Sequence, residues 1–297
     1  MTVEHSTVPT LRYVTVGTLF AHGNLKASMD AVVEKDKAIR GLVEAAVRSY
    51  ATGFEARHVA EKDDPDGVIN MKVHNVFIAA LGPDIQYYSA LVRSLDSSLG
   101  DMLEQLAVSI AKLSYTVKGE VVGYLSEKQT HKIARLLEEY KRRVKRPEVR
   151  DYSLLIDKQK DSVRQVRHDS DYYLTDEETG RHYLVELKIG GDLDNKKARA
   201  EKEALLEQYA ILSNSLGSTD KISLRFATAY NRFGEGQPWE QGIVRQYFAP
   251  DELLIGKDFW DFVCKSKNGY DIVLDEYKLH AKTIVEALNK VKVAYLN

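Results

Sequence analysis

The chain has 297 residues, 44% hydrophobic and 29% charged, ordinary proportions for a folded protein with a substantial core. One cysteine, Cys264, excludes an intrachain disulfide. No apolar run reaches membrane-spanning length, and the first ten residues carry no basic-then-apolar leader pattern, so a cytoplasmic protein without membrane contact is expected. A formal net charge of −2 does not announce a nucleic-acid binder, which makes the distribution of charge the property to follow.

In chain order, residues 10–20 read as a short strand, with Gly17 and Gly23 marking a turn into a helix over 31–50. The acidic, Pro- and Gly-containing stretch 61–67 reads as a solvated loop rather than a metal site. Helices follow over 71–81 and 84–95, separated by Gly82-Pro83. Ser97 is then placed to cap a third over 98–113, with Leu99, Leu103, Leu106, Ile110 and Leu113 on its buried stripe and Glu104 beside it. Gly119 and Gly123 break the pattern before a basic helix over 126–146 that Pro147 stops. From Lys128 to Arg150 there are nine Lys or Arg against three Glu, which makes Lys141, Arg142 and Arg143 candidate phosphate contacts, a solvated face being the other reading. A strand over 152–156 and a basic connector lead onward, and Arg164 and Arg167 on that approach are further candidates for phosphate.

The most informative stretch is 171–208. Aromatic and apolar residues at 171–174, a turn at 176–180 and an alternating run at 182–189 predict a β-hairpin, and residues 196–212 predict a helix with Ala198, Leu205, Leu206, Tyr209 and Leu212 on one face. Residues two apart on a strand share a face, so Glu186 and Lys188 leave the sheet together. The pairing brings Asp171 close to Glu186. Two carboxylates and a lysine at one edge suit phosphodiester hydrolysis: hard oxygen ligands hold Mg²⁺, and the lysine positions or deprotonates the attacking water. A charged solvent face of an ordinary strand is the alternative reading.

The pattern Asp-x14-Glu-Leu-Lys, followed by GGDLDNKKARAEK, resembles the active-site segment of the PD-(D/E)XK nucleases, and more narrowly the TdeIII-like type II restriction endonucleases. The run FAPDELLIGKDFW at 248–260 is similar to the same family. Ser170 stands where a proline precedes the first acid in that pattern, which leaves Asp169 as a rival to Asp171. The resemblance implies Asp171, Glu186 and the carbonyl of Leu187 as metal ligands, Lys188 as the residue orienting water, and Glu104 as an auxiliary glutamate from a helix on the sheet. Glu201 and Glu203 on the following helix are in reserve. It also implies a homodimer on double-stranded DNA, a GC-rich interrupted palindrome of the GGNCC or CCNGG kind, and a cognate methyltransferase in the cell.

Downstream, residues 222–229 predict a third core strand. The loop after it offers Arg232, Gln237 and Glu240 as base readers, joined by Gln241 and by Arg245 on an expected strand over 243–248. Lys196 and Lys197 open the helix behind the hairpin as further DNA contacts; ion pairs of Lys197 with Glu201 and Arg199 with Glu203 are the plain expectation there. Phe259, Trp260 and Phe262 read as core. A helix over 275–295 packs on its own domain or on a second subunit. The fold expected is α/β, with a small mixed β-sheet flanked by helices and a helical N-terminal portion; the resemblance implies a restriction-endonuclease-like core. It forms one compact nuclease domain over 1–297, mainly helical over 1–125, catalytic and DNA-reading over 126–265, and ending in a helix over 266–297 that offers a dimer contact. A repair or RNA-processing nuclease with the same core, and a DNA-binding protein without catalysis, are the two other classes to be separated by experiment.

Overall fold

Residues 172–174 and 183–187 are mostly apolar, and in the computed structural model, which describes residues 16–157 and 163–296, these runs lie in the centre of a five-stranded sheet. The chain divides into two compact units, Met1–Ala38 and Ile39–Asn297. The described part of the first is the opening of helix α1, Val16–Ala60. Residues 16–20 are thus helical where a strand is predicted, because the helix-favouring Leu, Ala and Lys residues that follow carry the helix through both glycines. Residues 10–15 of that prediction lie outside the described part.

In the second unit, a 3-10 turn, Asn70–His74, and a one-turn helix α2, Val76–Ala79, replace a longer predicted helix. Asn75 between them is extended, and its side chain accepts from the Ile78 N–H, capping the second piece. Gly82, at φ 98°, admits Pro83 as the first residue of α3, Pro83–Ala111. The predicted break at Ser97 is absent. Ser98 Oγ donates to the Ser94 carbonyl at 2.7 Å, a bond that lets a serine remain inside a helix. Strand β1, Thr116–Ser126, takes both predicted breakers into its interior. Gly119 lies at a bulge in the pairing with the next strand, and a Cβ on Gly123 would fall 2.5 Å from Ile211 Cγ2 on a helix crossing the sheet.

The basic helix is α4, Glu127–Lys141, opened by a capping box of Ser126 and Gln129. Val149–Leu155 is 3-10 helix and not the predicted strand, because its buried residues, Tyr152 and Leu155, lie three apart. Strands β2, Val163–Asp176, and β3, Arg181–Leu187, form the predicted hairpin. Helix α5, Asn195–Leu216, capped by Asp194, crosses over to β4, Ile222–Thr228, parallel to β3. The strand predicted over 243–248 is instead the one-turn helix α6, Val244–Tyr247, whose two buried residues are again three apart while Arg245 is exposed. Then come β5, Leu253–Ile255, parallel to β4, and helices α7, Lys257–Cys264, and α8, Gly269–Leu296. The sheet order is β1-β2-β3-β4-β5, antiparallel up to β3 and parallel beyond it, the mixed α/β architecture expected.

Each face of the sheet has its own core. Val185 and Leu187 pack with Met102 and Leu106 of α3 and with Phe259 and Trp260 of α7. Leu184 packs the other way, with Leu137 of α4 and Leu205, Leu206 and Tyr209 of α5. Alternation puts Glu186 on the side of Leu184, facing α5. Ile284 and Val291 of α8 are buried within the chain's own cores, and Leu288 is partly buried there. Among the described residues no helix is long and apolar enough to cross a membrane.

Candidate active site

The carboxyl ends of the parallel strands β3 and β4 face one edge of the sheet, the place where open α/β sheets hold their ligands. Lys188 is the first residue past β3, and its N–H still donates to the Ala227 carbonyl of β4 at 2.9 Å, so the strand geometry carries one residue further. Its ammonium stands 2.5 Å from Glu186 Oε1 and 3.3 Å from Glu201 Oε1. Glu186 is only 8% exposed, and a carboxylate so buried needs such compensation. Glu201 comes from the second turn of α5. The expected surface pairs of that helix are not the ones formed: Glu201 turns to Lys188, and Arg199 reaches Glu138 of α4 at 3.5 Å.

Tyr172 of β2 pairs with Val185 of β3, the residue before Glu186, and Asp171 directly precedes Tyr172 in the strand. The backbone of Asp169, Ser170 and Asp171 belongs to β2, with Asp169 paired to Glu120 of β1; their side chains lie outside the described part. The Tyr172 hydroxyl donates to the Glu104 carbonyl at 2.8 Å, which ties α3 to β2 one residue from Asp171. Glu203 is the other reserve glutamate of α5.

Past Lys188 the chain turns tightly. Gly191 has φ 63°, its N–H donates to the Lys188 carbonyl at 3.0 Å, and a Cβ there would meet Thr228 Cγ2 at 2.7 Å and Trp239 at 3.0 Å. Two of the predicted base readers gather on this connector. Arg232 pairs with Asp192 at 2.8 Å, and Gln241 Nε2 lies 3.4 Å from Asp192 Oδ1 and 3.5 Å from the Leu193 carbonyl. Gln237 and Glu240 are exposed on the neighbouring loop, where the Gln237 carbonyl accepts from Asn231. Lys196 and Lys197 are exposed in the first turn of α5.

Gln246 of α6 donates to the carbonyls of Tyr140 and Lys141, so Arg245 and the basic end of α4, with Lys141, Arg142 and Arg143, lie on joined elements. Arg164 and Arg167 stand apart from these, near β1 and α5, paired with Glu207 at 3.6 Å and Glu120 at 2.7 Å. Sequence reasoning passed over one buried pair, Lys202 with Glu252. The signal was present: Lys202 sits four residues from Ala198 and three from Leu205, inside the apolar stripe.

The donor set decides which cofactor fits. Glu186 and Glu201 bring two negative charges against the single positive charge of Lys188, all on hard oxygen or ammonium groups. Such an oxygen-rich, net negative edge fits a divalent cation such as Mg²⁺. Elsewhere, Glu44, Glu276 and His280 also bring ligand atoms within 4.8 Å of one another, but Arg48 and Arg40 already neutralise the two carboxylates there.

A family model described as type II restriction endonuclease, HinfI, matches residues 36–279. No curated protein and no solved structure matches the chain. The matched span contains Glu104, Asp171, Glu186, Lys188 and Glu201. Its class is the one implied by the segments at 171–208 and 248–260; the narrower likeness to TdeIII-like enzymes rests on those segments alone.

Proposed function

The chain belongs to the HinfI family of type II restriction endonucleases and is a nuclease that hydrolyses DNA, and from that premise we propose that it cuts double-stranded DNA at a short palindrome interrupted by an unspecified base, with Mg²⁺ as cofactor. The observation that carries this reading is the placement of Lys188 between Glu186 and Glu201 at the open end of β3, inside the matched span. Asp171, Glu186 and the Leu187 carbonyl would hold the cation, with Glu104 assisting from α3. When bound, Mg²⁺ supplies charge neutralisation at the scissile phosphate and lowers the pKa of water.

The chain's own residues do the rest. Lys188 Nζ donates a hydrogen bond to the attacking water and fixes it in line with phosphorus, while Glu186 and Glu201 hold that ammonium in place. Water oxygen bonds to phosphorus, the bond to the 3′ oxygen breaks, and the products are a 5′-phosphate and a 3′-hydroxyl. Arg232, Gln237, Glu240, Gln241 and Arg245 read bases. Lys141, Arg142, Arg143, Arg164, Arg167, Lys196 and Lys197 contact phosphates. A twofold-symmetric site calls for two copies of the active site, hence a homodimer, and in the cell a methyltransferase of the same specificity protects the host.

The test is incubation with a long unmethylated bacteriophage DNA, in Mg²⁺ and in EDTA, beside Lys188→Ala. Discrete fragments only from the wild type with Mg²⁺ are expected, and their ends give the site. A smear would move the assignment to a repair or processing nuclease, and intact DNA from a folded sample would remove the roles given to Asp171, Glu186 and Lys188.

A further inference from the structure

The segment 248–260 contributes no side chain to the site described above, yet it carries a buried charge near its start. Glu252 is fully buried, and its Oε1 lies 2.6 Å from Lys202 Nζ, also fully buried, on α5. The other oxygen of Glu252 accepts from the Ala249 N–H at 2.7 Å. Lys202 Nζ is roofed by two rings, 4.6 Å from the centre of Tyr152 and 4.7 Å from that of Phe248. Removing two charges from water is costly, and packed apolar residues usually serve stability as well or better, so the pair needs another reason.

Its position supplies one. Glu252 immediately precedes β5, which pairs Leu253 with Phe226 of β4, and the neighbouring Asp251 carbonyl accepts from the Arg225 guanidinium of β4. Glu252 is therefore fixed to the sheet that also carries Glu186 and Lys188. Lys202 is the residue after Glu201, about 100° further round α5. A rotation of α5 by about 20° would swing a side chain some 6 Å from the axis by about 2 Å. That is enough to break the 3.3 Å contact of Glu201 with Lys188.

Building on the proposed nuclease function, we propose that the buried Lys202–Glu252 ion pair is a positioning device that indexes α5 to the sheet and so holds Glu201 against Lys188. The two residues act through Glu201 and do not touch DNA.

The test uses the full chain with Lys202→Met and Glu252→Gln together, which removes both charges and keeps the bond to Ala249. Thermal unfolding is expected to show a folded protein, with kcat on DNA down about 100-fold and KM changed about twofold or less. On a Glu201→Gln background the same two changes are expected to add nothing further. The Lys188 side-chain NMR resonance, which needs no cleavage, is expected to shift as it does in Glu201→Gln. Should the double variant not fold, Glu252→Asp, which keeps the charge and shortens its reach, is read the same way. Wild-type kcat with an unmoved Lys188 resonance, or an effect that adds in full to that of Glu201→Gln, overturns the inference. Failure of the wild type to cut any DNA while the Lys188 resonance shifts as expected would instead sink the proposed function and leave the positioning role standing.

Discussion

Lys188 stands between two carboxylates, one nearly buried, and its removal has two separable consequences. Lys188→Ala is expected to slow single-turnover cleavage by about 10²-fold or more, because the water loses its positioning donor. It is also expected to cost about 1–3 kcal/mol in urea unfolding, because Glu186 loses a charge partner while remaining buried. Adding Glu186→Gln should recover stability and leave cleavage absent; recovery of both would contradict the role given to the lysine. His58 is a second residue with a defined expectation. Its ring is buried, lies 3.0 Å from Ser94 Oγ, and has its pKa pushed below the ordinary 6.5, first by burial. In the unfolded chain His58 takes up a proton more readily than in the folded one, so stability is full above about pH 6.5 and falls as pH drops below it. Urea midpoints between pH 7.5 and 5.5 should decline more steeply for the wild type than for His58→Gln.

The elements behave as their buried spacings dictate. The hairpin β2–β3 was legible because alternation, the turn at 176–180 and Glu186 and Lys188 two apart all agree on one register. Segments 152–156 and 243–248 read as strands because they are mostly apolar, yet burial at i and i+3 makes helical turns of 149–155 and 244–247. The connector after β3 shows why its second glycine is needed. Gly191 is in the left-handed region with no room for a Cβ against Thr228 and Trp239. Gly191→Ala is expected to destabilise by about 1–3 kcal/mol and to lower cleavage by misplacing Lys188. Unchanged thermal unfolding would count against that account.

At the scale of the molecule, charge is distributed rather than abundant. A net charge of −2 coexists with a basic end of α4 that Gln246 joins to α6. Replacing Lys141, Arg142 and Arg143 by alanine should weaken binding about equally for all sequences and reduce the slope of log K against log salt by about 2 to 3. Arg232→Ala, on the loop held to the connector after β3, should instead relax sequence preference; fluorescence anisotropy on cognate and random duplexes separates the two. The proposed palindromic site predicts a complex that sediments with the mass of two 33.6 kDa chains plus one duplex. A single copy bound at saturation would remove the dimer from the proposal.

By itself the sequence determined the local items: the hairpin, the shared face of Glu186 and Lys188, the basic helix and the apolar stripe of α5. These depend on periods of two and of 3.6 residues, which are written along the chain. Tertiary structure alone decided that β4 lies parallel beside β3 and β5 beside β4, and that Glu201 rather than Glu203 meets Lys188. It alone brought Glu252 fifty residues along to close on Lys202. Those contacts join residues far apart in the chain, and which partners meet is set by how helices pack on a sheet, a property no short window of sequence contains.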